Sequence, residues 1–449
     1  MPFSTPSAIG NTQSTAIAFA ATGLVPFGQS NLPPKPLRRN LNPSLKGERI
    51  MFVEVHFLQN FAPSNLNRDD TGNPKDAEFG GVRRARISSQ AIKRAIRLEP
   101  IFAEITKVPP AVRTRWMTRR LAEKLVAAGK PQEDAETVAR AFAAAFSGKM
   151  DKDKADRTSV LLYLSDEEYA SMAQTLLSQW DMALDAALKA AEEAEDKNKK
   201  KDSAKGKRKS KSPFEILATE WIKKTKGRTS APDIALFGRM LADKPELNLD
   251  AACQVAHAIS THRVDMDFDF FTAVDDLLTD EEAGAGMMGV TPFNSATYYR
   301  YARIDWEQLV KNLGGDTELA CRTVEGFLRA ALRAIPTGKQ NAFAAQNPPD
   351  FALAVVRKDG MAWSLANAFE RPVRPNREGG LMEPSIQALD AYWGRLTQVY
   401  GAEGVYPFAF CVRDPDGLLT HLQTALQPNV ETWIQAVLAQ LPTATTKEA

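Results

Sequence analysis

Residues 65–97 read NLNRDDTGNPKDAEFGGVRRARISSQAIKRAIR. A polar loop carries Arg68 and Lys75. A basic strand follows with Arg83, Arg84 and Arg86, and then Ser88 and Ser89 open a helix holding Gln90, Lys93, Arg94 and Arg97. Either serine is a good N-cap, because its hydroxyl can satisfy a free amide of the first turn. A helix start also offers unpaired N–H groups and partial positive charge, which suits phosphate. Positions three and four apart are neighbours on a helix, so Gln90, Lys93 and Arg97 share one face. Ile87, Ala91, Ile92, Ala95 and Ile96 share another, which predicts packing on a sheet. No acidic residue lies between Gly80 and Leu98, whereas a solvated helix ordinarily mixes both signs. One face is anchored and the other presents donors, an arrangement that suits a polyanion with a regular backbone. Nucleic acid fits that description; a merely basic surface helix is the alternative.

Composition sets bounds around this stretch. A chain of 449 residues, 44% hydrophobic, can bury a large core. Its net charge is only +2, so a nucleic-acid role rests on local patches and not on a global field. Cys253, Cys321 and Cys411 are odd in number and far apart, which argues against a disulfide framework and for a reducing, cytoplasmic setting. No apolar run approaches the roughly 20 residues of a membrane span. Ala16–Val25 is mildly apolar but lacks a preceding basic segment, so a signal peptide is not expected.

Along the chain, residues 1–50 are rich in Pro, Ser, Asn and Gly and are expected to be a disordered extension. Phe52–Leu58 alternates as a strand, with Phe52, Glu54 and His56 opposite Val53, Val55 and Phe57. Pro109–Gly148 is expected to be helical with a break at Gly129 and Pro131. Ser165 to Glu168 forms a capping box that opens one long helix reaching about Glu195. The lysine-rich tract 196–212 has three open readings: a nucleic-acid arm, a solvated linker or a localisation signal. The second half mixes strands and helices, and one more helix is expected near Val430–Leu441.

Three further patterns resemble sites. Gly284–Gly289 matches G-x-G-x-x-G, but the acidic residues before it and Pro292 after it contradict a dinucleotide fold, so a hairpin tip is the better reading. Asp265, Asp267 and Asp269 alternate with apolar residues. They are read as the solvated face of a half-buried strand, with a divalent cation as the alternative. His56, His257, His262 and His421 show no zinc spacing, and His257 and His262 are expected to pack and cap a helix end.

Several blocks occur in a fixed order: NRDD, FGGVRRARISSQ and KRAIR within residues 67–97, ALFGRM (235–240), AHAISTHRVDMDFDFFTAVDDL (256–277), YYRYARI (298–304), GKQNAFAAQNP (338–348) and SLANAFE (364–370). On these blocks, spanning roughly Met51 to Gly401, the chain resembles the CasC-type backbone subunit of the type I-E CRISPR Cascade complex. The resemblance implies an α+β fold: a ferredoxin-like (RRM-type) palm with a helical fingers insertion and a long β-hairpin thumb. The palm would occupy 51–104 and 251–405, the fingers 105–250 and the thumb about 263–295, with 406–449 as a C-terminal extension. It also implies a non-catalytic subunit that polymerises head to tail along a CRISPR RNA and presents it to target DNA in antiviral defence, beside large, small and guide-end subunits, without cofactor or metal. Guide phosphates would be held by residues matching Arg68, Lys75, Ser88, Gln90, Lys93 and Arg97. Arg84 and Arg86 add to that basic surface, Met240 would wedge against bases, and Thr272 would lie in the thumb over a displaced base. The aromatic base platform of ordinary RRM proteins is not evident, so stacking on the sheet is not expected.

The rival reading is an enzyme. Backbone subunits of type III systems cut RNA with an aspartate in the loop after the first strand, and Asp69 and Asp70 occupy a similar loop here. A metal held there could activate water. The alternative is that the two aspartates pair with Arg68 or nearby arginines and shape the loop.

Overall fold

A computed structural model describes residues 50–151, 153–154, 156–199, 212–241, 244–273, 287–358 and 360–442. The expected N-terminal extension lies outside the described residues except for Ile50. So do the greater part of the lysine tract and the hairpin tip up to residue 286.

The chain enters β1 (Phe52–Ser64), turns through β2 (Asp76–Phe79) and β3 (Val82–Ile87), and passes into α1 (Ser89–Leu98) and α2 (Pro100–Thr106). An inserted block follows: β4 (Val112–Thr114), α3 (Met117–Ala127), α4 (Gln132–Ser147), β5 (Leu162–Leu164), α5 (Asp166–Leu177), α6 (Trp180–Lys199), α7 (Pro213–Thr225) and α8 (Pro232–Phe237). The sheet resumes with β6 (Cys253–Val255), β7 (Ala258–Ser260), β8 (Asp267–Ala273) and β9 (Met287–Asp305). Then come α9 (Trp306–Asn312), α10 (Thr317–Arg333), α11 (Gln340–Phe343), β10 (Phe351–Arg357), α12 (Met382–Tyr400), β11 (Val405–Cys411) and α13 (Val430–Leu438).

The main sheet runs β11-β10-β1-β9-β7-β3-β2, with β6 and β8 also paired to β9. Its pairings are antiparallel. Alternation in β1 sends Val53, Val55 and Phe57 to one face, where they meet Ile92 and Ile96 of α1, Phe102 of α2, Val324 and Phe327 of α10 and Trp433 of α13. The opposite face is covered too: Leu58, Leu353 and Val355 pack on Phe369 and on Ile386, Leu389 and Trp393 of α12. The inserted block has its own apolar core, from Met117 to Leu247.

Because both faces are covered, the polar residues of β1 are buried and need partners. Glu54 Oε1 accepts from Tyr301 Oη at 2.7 Å and from the Trp363 amide at 2.6 Å, and Arg357 lies 3.7 Å from the other carboxylate oxygen. His56 Nδ1 is 2.9 Å from the Tyr299 hydroxyl. Burial, aided by the Arg357 charge, lowers the His56 pKa to about 3.

Four expectations are corrected. Residues 112–114 form a strand and not a helix, because Val112–Thr114 pair with Leu162–Leu164, far along the chain. The single helix after Ser165 is two, since the chain breaks at Ser178, whose hydroxyl donates to the Thr175 carbonyl at 2.8 Å and competes with the helical ladder. The capping box itself forms, with Ser165 and Glu168 each bonding the other's amide. Segment 406–442 is no appendage: β11 extends the sheet and α13 seals its core. Finally, His257 and His262 flank short strands and cap no helix.

Candidate nucleic-acid interface

The loop after β1 and the start of α1 are built as one unit. Asn67 Oδ1 accepts the Ser88 amide at 2.8 Å, and its carbonyl accepts the Lys75 amide at 2.9 Å. The Lys75 carbonyl in turn accepts the Arg86 amide at 2.9 Å. Ser88 is the N-cap, its hydroxyl accepting from Ala91 N at 3.3 Å. Asn65 is buried; its amide donates to the carbonyls of Gly72 at 3.0 Å and Pro292 at 2.9 Å, fastening the loop to the root of the β8–β9 hairpin. Asp69 shapes the loop, but not through arginine: its Oδ1 accepts from Thr71 N, Thr71 Oγ1 and Asn73 N at 2.8–2.9 Å. These bonds, the Thr71 hydroxyl first, hold its carboxyl below the usual range. Asp70 is exposed. Among the described residues, no cluster of His, Cys, Asp or Glu has the makings of a metal site.

On this frame Arg68 and Gln90 are exposed, and Lys75, Arg86, Ser88 and Lys93 are half-buried with one side toward solvent. Ile92 and Ile96 hold the opposite face of α1 in the core. Arg84 departs from expectation. It is fully buried, and its guanidinium donates to the carbonyls of Phe79, Ser260, Phe369 and Glu370 at 2.8–3.2 Å. Its charge faces backbone and is closed to a phosphate; burial lowers its pKa. Arg97 has partners within the chain. It donates to the Ala111 carbonyl at 2.8 Å, stands 3.8 Å from Asp233 on α8, and lies over the Tyr163 ring. It joins α1 to the inserted block with 15% of its side chain exposed.

Distant sequence blocks meet here. A Cβ at Gly80 would collide with the Glu370 carbonyl, and one at Gly338 with the Leu66 carbonyl. The φ of Gly80 is +62°, a region that also favours glycine. FGGVRR therefore seats against SLANAFE, and GKQNAF against the Arg68 loop.

Met240 is 84% exposed between anchored neighbours. Arg239 is buried against Glu168 at 2.7 Å, and Leu241 N donates to Asn248 Oδ1 at 2.6 Å. Its rigid flanks make Met240 a projecting apolar knob. α8, which leads to it, lies beside α1, with Lys93 Nζ 5.9 Å from the Phe237 ring. Thr272 sits elsewhere, on β8 opposite Met288. At about 3.3 Å per residue it stands roughly 17 Å out from Asp267, and among the described residues no hydrogen bond ties it to the loop–helix unit. The strand around it is exposed on both faces, which corrects the half-buried reading of the Asp alternation; Phe268, Phe270, Met288 and Val290 are each more than half exposed.

Sequence reasoning missed Asn65, Asn67 and His257. The first two were just polar letters in a loop, since their partners come from other segments. His257 was assigned to a helix that does not form. Its Nδ1 accepts the Ser89 amide at 3.1 Å.

A family model described as CT1975-like protein matches residues 53–445, and the chain belongs to that family. Its structure is similar to a chain of a "CRISPR RNA-guided surveillance complex, pre-nicking", with TM-score 0.70 and 33% identity over 86% of this chain and 99% of that one. It is also similar to a chain of a "CRISPR RNA-guided surveillance complex", with TM-score 0.63 and 27% identity over 87% of this chain and 100% of the other. Among curated proteins, none matches.

Proposed function

We propose that this member of the CT1975-like family is the guide-binding backbone subunit of a CRISPR surveillance complex of type I-E, polymerising head to tail along one RNA and presenting it to target DNA. The observation that carries the proposal is the loop–helix junction, where Arg68, Lys75, Arg86, Gln90 and Lys93 surround a capped helix start. Lysine and arginine neutralise phosphates and fix register without reading bases. That suits a subunit that must accept any guide, with sequence recognition left to base pairing. Met240 supplies an unbranched side chain able to wedge between bases. A head-to-tail contact that does not close gives a filament, as a linear template requires. Further subunits of the complex and target DNA are its partners, and the cytoplasm its setting.

The palm is read as ferredoxin-like. The order β10-β1-β9-β7, all antiparallel, with α1 and α10 packed on one face, supports this. α12 covers the face on which an ordinary RRM stacks bases, so binding belongs at the loop–helix junction.

The test is purification with the neighbouring subunits. A small RNA of uniform length should co-elute, and protein that stays free of RNA beside its processed guide contradicts the proposal. We propose no catalytic role for Asp69 or Asp70. Incubation with complementary RNA and Mg2+ or Mn2+ checks this: cleavage at regular spacing, lost in Asp70→Ala, would establish the nuclease reading.

A further inference from the structure

Where β3 runs into α1, the register Arg86↔Ile259 and Ile87↔Ala258 carries His257 next to the helix cap. There its Nδ1 accepts the Ser89 amide N–H at 3.1 Å, and Arg86 Nη1 lies 3.5 Å from the same nitrogen. Two donors converging on one ring nitrogen fix the tautomer. Nδ1 keeps its lone pair, and the ring proton sits on Nε2. The residue is exposed, and Nε2 has no hydrogen-bond partner among the described residues.

We propose that the Nε2–H of neutral His257 donates to a phosphate of the bound RNA at the entrance of α1, beside Lys75 and Arg86. The inference rests on the guide-binding reading above and adds a contact to it. A helix start favours phosphate through its free amides, and here the imidazole takes the Ser89 amide for itself. In exchange it presents its own N–H farther out, so the ring relays a donor from the helix to the surface. Burial, then Arg86, then Lys75 lower its pKa. A protonated ring would also have to give up the Ser89 bond, because Nδ1 could no longer accept. His257 therefore acts as a hydrogen-bond donor without charge. Such a contact adds affinity but displaces no counterion, whereas a lysine contact does both.

The difference is measurable. Affinity for a labelled single-stranded RNA is followed across a salt series for the parent and three variants. Hydrogen bonds to charged groups are worth enough that His257→Ala should bind about tenfold more weakly. Its slope of log affinity against log salt should match that of the parent. His257→Gln, which restores an amide N–H at about the reach of Nε2, should recover most of the loss, and it carries the test should the alanine variant fold poorly. Lys93→Ala should weaken binding and make the slope shallower by roughly one unit. Parent-like affinity in both His257 variants, or a slope change on His257→Ala equal to that of Lys93→Ala, overturns the neutral-donor proposal alone. Parent-like behaviour in Lys93→Ala as well overturns the guide-binding reading beneath it.

Discussion

Arg84 and Lys93 belong to one basic run, yet they do unlike work. Lys93 stands on the solvent side of α1, while Arg84 is sealed inside and bonds four backbone carbonyls. Charge and spacing alone place both on a binding surface. What separates them is the position of Ser260, Phe369 and Glu370, which fold in from far along the chain and leave no local mark near Arg84. Removing Arg84 orphans several buried acceptors at once. Arg84→Ala should therefore cost on the order of 3 kcal/mol, read as a lower denaturant midpoint, whereas Lys93→Ala should change stability by about 0.5 kcal/mol or less. His56 yields a pH prediction of definite sign. Its native pKa of about 3 lies below the ordinary histidine value of 6.5, so the unfolded chain takes up a proton that the folded chain refuses. This contribution to stability is complete above about pH 6.5 and declines as pH falls toward 3. Denaturation midpoints measured between pH 7 and pH 4.5 should drop, and the drop should be smaller in His56→Gln; equal profiles for the two proteins would refute the assignment.

At the scale of elements, α1 was legible because three cues agree: a serine cap, apolar residues at helical spacing and a polar opposite face. The capping box before α5 was legible for the same reason. Strands β4 and β5 were not, since each has three residues and is defined by its partner. The C-terminal segment was misjudged because the resembling blocks stop before it. Only tertiary packing reveals that Trp433 fills the core beneath β1 and donates through Nε1 to the Phe408 carbonyl at 2.9 Å. Trp433→Ala should cost about 3–5 kcal/mol, seen as a fall in the denaturation midpoint of the whole chain. Unfolding confined to the last residues would mean that α13 is an appendage after all. The β8–β9 hairpin stands at the other extreme. A two-stranded ribbon is marginal in water by itself, and this one is an outward extension of β9, whose later half lies at the centre of the sheet.

For the molecule as a whole, the arrangement of charge and not its sum sets where cations gather. A chain with a formal balance of only +2 concentrates exposed or half-exposed cations at one loop–helix junction and closes both faces of its sheet with helices. Blocks far apart in sequence converge there through two glycines that permit close backbone approach, Gly80 and Gly338. Blocks that carried the family resemblance thus meet in one place. The central claim is that the junction grips a sugar–phosphate backbone and is indifferent to the bases on it. The most direct measurement is the affinity for three single-stranded RNAs of equal length and unrelated sequence, each followed through a salt titration. The account predicts equal affinities and one shared negative slope of log affinity against log salt. Strong preference for one sequence, or affinity independent of salt, would contradict it.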